Sequence, residues 1–187
     1  MTITITVETG AVVASANSFV SLAAFKTHCD DRGRVYTAVY ADELIKAALI
    51  KMADYLNDLP WYGVKTDRTN PMSWPRYGLA EGGATWNQLE YPSTYWTGVL
   101  DRDGFYILPS EVPAEVVRAQ SEGTWLILTG KDMEPALDRG GQLKKEKYDV
   151  VEFEYFSGAS PTTEFKTITN RLNGLLKSSN TRDLVRS

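Results

Sequence analysis

The chain has 187 residues, of which 43% are hydrophobic and 24% charged, and its formal net charge is −4. This composition is typical of a folded globular domain and excludes a wholly disordered chain. The negative charge argues against a protein whose whole surface grips nucleic acid, so any contact with DNA has to come from a local patch.

The amino terminus, MTITITV, alternates Thr with apolar residues, which predicts a strand or an extended arm. Its apolar face consists of Ile3, Ile5 and Val7. A strand edge that has no partner inside its own chain favours pairing with a neighbouring chain. We therefore predict that these three residues form an inter-subunit arm.

Two helices are expected in the first third of the chain. The first begins at Ser18 or Ser21 and ends near Arg32, where Gly33 is a natural stop. The second covers residues 41–59, in which apolar residues recur at three- and four-residue spacing between charged ones. This pattern predicts an amphipathic helix of about five turns.

A third helix is expected over residues 113–129, because Pro113 suits the first helical turn. Gly123 lies in its middle, where it either weakens the helix or allows close contact with a neighbouring helix. Beyond it, residues 138–141 predict a turn and the DVVEFEYF run at 149–156 predicts a strand.

Residues 61–109 have no helical period and hold four of the five tryptophans. Five of the eight prolines also lie there, counting Pro60 just before it. So long a stretch should form turns and short strands, and residues 101–104 look like a tight turn that leads into a strand over 105–108. The aromatic residues could stack on bases, but packing of an irregular insertion is the favoured interpretation.

The carboxy-terminal residues 161–187 carry five basic residues against two acidic ones, a net charge of +3 on an acidic protein. Residues 163–177 predict a short helix with an apolar stripe, with Thr162 as its cap and a polar tail after it. We predict a docking arm made of its apolar and basic residues: Phe165, Ile168, Arg171, Leu172, Leu175, Leu176, Lys177, Arg182 and Arg186. The predicted fold class is mainly α, a small helical bundle (residues 1–160) with a β-containing insertion at about 61–109, a short hairpin or strand, and extended terminal arms.

The chain offers little for chemistry. It has one histidine, His28, and one cysteine, Cys29, and neighbours on a helix point about 100° apart, which disfavours a nucleophile–base pair. Cys29 is better explained as a core residue. Phosphate-binding glycine loops, a nucleophile elbow and metal-ligand spacings are missing from the sequence. We therefore predict no enzyme activity, no cofactor and no metal, and no apolar run is long enough to span a membrane.

Six short motifs, in this order, resemble those of a family of tailed bacteriophages: Ala16–Leu22, Ala47–Leu56, Trp74–Arg76, Asp101–Gly104, Val112–Val116 and Asp138–Gly141. The family carries the label DnaT-like single-strand DNA-binding protein and is understood as head–tail connector, or adaptor, proteins. The resemblance covers most of the chain.

The resemblance implies a virion protein of the phage neck, made in the cytoplasm of the bacterial host. It implies a homo-oligomeric ring, often twelvefold, that docks on the portal protein and presents a platform for tail or neck proteins. Double-stranded DNA would pass through its channel without sequence-specific contacts. A ring subunit needs two different contact faces, which the two predicted arms could supply. The carboxy-terminal arm is the candidate for docking on the portal.

Two alternatives remain open. A replication accessory protein that binds single-stranded DNA would need stacking aromatic residues and a basic groove, and Trp61, Trp74, Arg76 and Trp86 are its candidates. A small hydrolase would have to use Cys29 or a carboxylate pair, and it lacks a positioned base.

Overall fold

A computed structural model describes residues 2–78, 99–133, 145–148, 151–154 and 165–177 of the chain. In chain order its elements are α1 (Leu22–Asp30), α2 (Asp42–Asn57), β1 (Val64–Lys65), β2 (Arg76–Tyr77), β3 (Val99–Leu100), β4 (Tyr106–Ile107), α3 (Ala114–Leu128), β5 (Lys145–Tyr148), β6 (Val151–Glu154) and α4 (Lys166–Thr169). The strands form three separate antiparallel pairs, β1–β2, β3–β4 and β5–β6.

The three long helices confirm the sequence predictions to within a few residues. Ser21 caps α1, because its hydroxyl accepts a hydrogen bond from the Ala24 amide at 3.0 Å. Helix α2 has no side-chain cap, but Asp42 and Glu43 in its first turn complement the positive end of the helix dipole. Pro113 directly precedes α3.

Helices α2 and α3 pack tightly against each other at Gly123. A Cβ atom at this position would overlap the sulfur of Met52, which is fully buried on α2. The prediction that Gly123 permits close contact with a neighbouring helix is therefore confirmed.

The predicted fold class, a mainly α bundle with an inserted excursion, is wrong. The described residues form a mixed α and β fold with four helices, of which α4 is a single turn, and three small antiparallel sheets. Residues 61–78 and 99–107 are integral to it, because Trp61, Trp74, Val99 and Ile107 are buried in the same cluster as the helix side chains. They complete the main core, which the helices alone would leave open.

Among the described residues, the apolar interior forms two clusters toward opposite ends of α2. The main core joins α2 and α3 to the strand segments and the carboxy-terminal segment, and its buried residues include Phe19, Met52, Leu56, Trp61, Met72, Trp74, Val99, Val116, Ala119, Ile168, Leu172 and Leu175. The α1 core joins α1 to the other end of α2 and contains Val20, Phe25, Cys29, Tyr36, Ile45 and Leu49.

Gln120 ties three distant parts of the chain together inside this interior. Its side chain accepts a hydrogen bond from the Phe19 amide at 2.8 Å and donates to the Ser18 hydroxyl at 2.8 Å and the Leu49 carbonyl at 2.9 Å. It is fully buried with both polar ends paired, so it fixes how α3 sits against α2 and the chain before α1.

The remaining predictions have mixed outcomes. The turn over residues 101–104 and the strand after it are confirmed as the β3–β4 hairpin, and a strand is present at Val151–Glu154. The predicted helix over 163–177 is wrong in extent, because within the described residues 165–177 only Lys166–Thr169 is helical and turns follow. Its predicted cap, Thr162, lies outside the described residues. The predicted turn at 138–141 and the boundary at 160 lie outside the described residues. In the part of the chain described, no helix has the length and apolar character needed to cross a membrane.

Candidate nucleic-acid interface

A buried carboxylate on α3, that of Glu122, is surrounded by positively charged side chains. Its Oε2 atom accepts a hydrogen bond from Arg34 Nη2 at 2.7 Å, and its Oε1 atom accepts one from Arg171 Nη2 at 3.2 Å. Arg32 Nε and His28 Nε2 lie 3.3 and 3.4 Å from Oε1. We call these five residues the Glu122 cluster.

Three separate stretches of the chain build this cluster. His28 and Arg32 are four residues apart, on α1 and just after its end, so both point to the same side. Gly33 adopts a φ of +59°, which reverses the chain after α1 and brings Arg34 back toward the cluster. Arg171 comes from the carboxy-terminal segment, 49 residues beyond Glu122.

The cluster is cationic overall and partly shielded from water. Three guanidinium groups face one carboxylate, so the excess is two positive charges when His28 is neutral. The Glu122 side chain is 7% exposed, while Arg32 and Arg171 are each 35% exposed and form the outer rim.

Two pKa shifts follow from this environment. Burial alone would raise the pKa of Glu122, but the hydrogen bond and charge of Arg34, with Arg171, outweigh it and lower that pKa. Burial and the charge of Arg32 lower the pKa of His28, against the opposing effect of Glu122. At neutral pH the carboxylate is therefore ionised and the imidazole is neutral.

An aromatic surface adjoins the cluster through Arg34. The Arg34 guanidinium carbon lies 5.1 Å from the ring centroid of Trp125, a cation–π distance. Tyr40 meets the same indole edge-on, with 6.3 Å between centroids. Trp125 is partly exposed, so this side of the molecule combines arginines with an accessible aromatic ring.

The stacking candidates chosen from the sequence are placed elsewhere. Trp61 and Trp74 are buried in the main core, where their rings meet edge-to-face at 5.7 Å, so packing is the correct interpretation. The Arg76 guanidinium donates to the backbone carbonyls of Tyr62, Ser73 and Gly63 at 2.8, 3.0 and 2.7 Å and holds the chain next to β1 and β2 together. Trp86 lies outside the described residues.

The prediction that Cys29 is a core residue is confirmed. Its side chain is fully buried in the α1 core, and burial raises the pKa of its thiol. A protonated, inaccessible thiol is a poor nucleophile. Among the described residues, no group of three or more His, Cys, Asp or Glu side chains could hold a metal ion.

The predicted amino-terminal arm runs along its own chain. Val7 forms a bridge with Ser18, and the Ile3 amide donates to the Glu43 carboxylate at 2.6 Å. Ile5 packs against the α1 core. These contacts occupy part of the edge that a neighbouring subunit would use, and the inter-subunit role stays a prediction.

The predicted docking arm also has most of its apolar residues inside the molecule. Ile168, Leu172 and Leu175 are buried in the main core, and Phe165 and Leu176 pack against it. Lys177 is exposed, whereas Arg182 and Arg186 lie outside the described residues. Docking by this segment stays a prediction, and it would have to rely on the charged side chains.

The β3–β4 hairpin carries the most prominent apolar surface of the described residues. Phe105 is 72% exposed, Tyr106 64%, Leu108 60% and Leu100 45%. Asp101 holds the turn at its tip, because its carboxylate accepts hydrogen bonds from the Asp103 and Phe105 amides at 2.9 and 2.8 Å.

Sequence reasoning missed the site and could have found one part of it. Glu122 lies three residues after Ala119 and six after Val116, on the buried stripe of α3, and a charged residue on such a stripe needs partners. Arg32, Arg34 and Trp125 gave no signal of their own, and Arg171 was assigned to the docking arm.

Fold and site together define a small mixed α and β protein with a partly buried cationic cluster beside a partly exposed aromatic ring. The chain belongs to the family described as "Putative DnaT-like ssDNA binding protein", whose model matches residues 3–94 and 84–187. This match confirms the DnaT-like family that the six motifs indicated. No curated protein and no solved structure matches the chain.

Proposed function

We propose that the chain binds single-stranded DNA through the face that carries the Glu122 cluster. The observation that carries this proposal is the convergence of three arginines on one carboxylate, which leaves two uncompensated positive charges on an acidic protein. This is the local patch that DNA binding by such a protein requires. The description of the family supports the same function.

The chemistry of the face fits a single strand. Guanidinium groups bind phosphates through two parallel N–H groups, and unpaired bases stack on aromatic rings. Arg32 and Arg171 at the rim would bind backbone phosphates, and Trp125 would offer a ring to a neighbouring base.

The test is a fluorescence anisotropy titration with a labelled oligothymidylate at several salt concentrations. The double substitution R32Q/R171Q should weaken binding at low salt by about tenfold or more, because two contacts with phosphates are lost. Each lost contact should also lower the slope of log affinity against log salt concentration by about 0.7. Arg68 is exposed on a turn outside the cluster, so R68Q is the matched control. Unchanged affinity in R32Q/R171Q, or no binding by the unmodified protein at low salt, would contradict the proposal.

We propose the head–tail adaptor as a second candidate function, in which the chain forms a ring on the portal of a tailed phage and contacts tail or neck proteins. The feature that favours it is the exposed apolar hairpin, because large exposed apolar side chains that cluster often mark contacts with other proteins. Such a protein would be located in the neck of the virion.

Negative-stain imaging of the protein mixed with its portal tests this second function. Rings that cap the portal are expected, and F105S/Y106S should abolish them. Val39 is 61% exposed and lies in a loop away from the hairpin, so V39S is a matched loss of exposed apolar surface. Free portals with the unmodified protein, or equal capping by both variants, would argue against an adaptor that docks through the hairpin.

A further inference from the structure

The Glu122 cluster contains more hydrogen-bond donors than its carboxylate can satisfy. Each guanidinium group carries five N–H donors, and a carboxylate offers about four acceptor positions. The structure places two of these donors, Arg34 Nη1 and Arg171 Nε, in buried positions without a hydrogen-bond partner, and His28 Nε2 is likewise unpartnered. Buried polar atoms of this kind are rarely left unpaired in folded proteins.

The two unpaired guanidinium N–H groups have a common chemical requirement, which is a negatively charged hydrogen-bond acceptor. The excess of two positive charges matches a tetrahedral oxyanion, whose oxygens can accept several hydrogen bonds at once. The rim residues Arg32 and Arg171 are each about a third exposed, so part of each guanidinium side chain faces the solvent from which an anion would come. Arg34 lies deeper, held by Glu122 and by the Trp125 ring.

We propose that the Glu122 cluster is a binding site for one oxyanion of the phosphate class, and that filling it fastens the carboxy-terminal segment, residues 165–177, to α1 and α3. The proposal rests on the proposed function only for the source of the anion, which would be a phosphate of the DNA backbone. Free inorganic phosphate presents the same kind of anionic phosphoryl oxygen and serves as the probe.

The link to the carboxy-terminal segment comes from Arg171. This residue sits between Ile168 and Leu172, both of which are fully buried in the main core. An anion that contacts Arg171 together with Arg32 or Arg34 would bridge this segment to the chain after α1. Because the unfolded chain cannot form such a site, binding must stabilise the fold and slow the opening of residues 165–177.

The experiment measures the melting temperature of the full chain in phosphate and in chloride at equal ionic strength. Phosphate should raise the melting temperature in a saturable way, with slower amide hydrogen exchange in residues 165–177. R171Q and R32Q should each reduce the rise by at least half, while R68Q should preserve it, since Arg68 is exposed on a turn outside the cluster. R171K keeps the charge but loses the forked donor pair, so an intermediate rise is expected.

An equal rise in R171Q, R32Q and R68Q, or no rise beyond that in chloride, would overturn the oxyanion site. The two rim variants also guard against loss of folding, because only one of them belongs to the carboxy-terminal segment. A phosphate response that depends on Arg171 without oligothymidylate binding would support the site and reject the proposed function. Oligothymidylate binding that R171Q does not affect, with no phosphate response, would reject the site and place DNA on another surface.

Discussion

At the scale of single residues, His28 is held in its neutral form by its surroundings. Its side chain is 10% exposed, and both burial and the charge of Arg32 disfavour the imidazolium. The nearby Glu122 carboxylate favours it but is already shared with three arginines. Protonation of His28 would add a further positive charge to a site that already has an excess of two.

This environment predicts a stability that depends on pH. Because the folded-state pKa of His28 lies below its ordinary value of 6.5, the unfolded chain takes up the proton first as the pH falls. The contribution of His28 to stability is therefore complete above about pH 6.5 and is lost progressively below it. Urea unfolding at pH 7.5, 6.5 and 5.5 should show a decline that is clearly smaller in H28Q.

The lowered pKa of Glu122 does not interfere with this measurement, because its effect on stability appears only below pH 4.5, the ordinary pKa of a Glu side chain. The contribution of that carboxylate is present above this value and is lost as the pH falls through the lower folded-state pKa. Parallel pH profiles for H28Q and the unmodified protein would show that His28 is not the group responsible.

At the scale of elements, the contact between α2 and α3 depends on the missing side chain of Gly123. G123A would gain about 1 kcal/mol in helix propensity. It would also require the buried Met52 side chain to shift, and overpacking of this kind typically costs about 1–3 kcal/mol. We expect G123A to destabilise the fold by up to about 2 kcal/mol in urea unfolding.

A double-mutant cycle gives the control for this prediction. In a chain that carries M52A, the same G123A change should be neutral or stabilising, because the sulfur that the new Cβ would overlap is gone. A coupling free energy of about 1 kcal/mol or more is expected for residues in such contact. Additive effects of the two substitutions would contradict the packing described at this position.

Apolar spacing predicted the three long helices well and the carboxy-terminal one poorly, for a physical reason. Spacing reports which side of a segment faces the core, and it does not report the backbone hydrogen bonds. Ile168, Leu172 and Leu175 all reach the main core, yet only Lys166–Thr169 is helical. The turn that follows contains Gly174 at a φ of +94°, which keeps the chain from continuing as a helix.

At the scale of the whole molecule, the segments that share a core could not be predicted from the sequence. Trp61, Trp74, Val99 and Ile107 have no periodic pattern, so their burial depends on contacts between residues far apart in the chain. The same limit applies to the candidate site. Arg34 and Arg171 meet at Glu122 only because the whole fold brings three distant stretches together.

Substitutions of buried residues in the carboxy-terminal segment should therefore destabilise the fold as much as substitutions elsewhere in the main core. L172A removes a fully buried side chain and should cost about 2–5 kcal/mol in the free energy of unfolding. Leu100 is 45% exposed on the hairpin, and L100A should change stability by no more than about 0.5 kcal/mol. Similar values for the two variants would mean that residues 165–177 do not pack as described.

The burial of these apolar side chains also determines how docking by the carboxy-terminal segment can be tested. Deleting residues 161–187 would remove Ile168, Leu172 and Leu175 from the main core, so lost binding to a portal would only report unfolding. A charge substitution at exposed Lys177 separates the two effects.

The bridge between Trp61 and Leu176 has a consequence for synthesis of the protein. The Tyr62 amide donates to the Leu175 carbonyl at 2.9 Å, and the Lys177 amide donates to the Pro60 carbonyl at 2.7 Å. The segment around Trp61 therefore pairs with residues that are synthesised more than a hundred residues later. During translation, Trp61 can be fully buried only after residues 175–177 have left the ribosome. We therefore expect the nascent chain to expose aromatic surface until these residues emerge, which would favour binding of chaperones that recognise apolar segments.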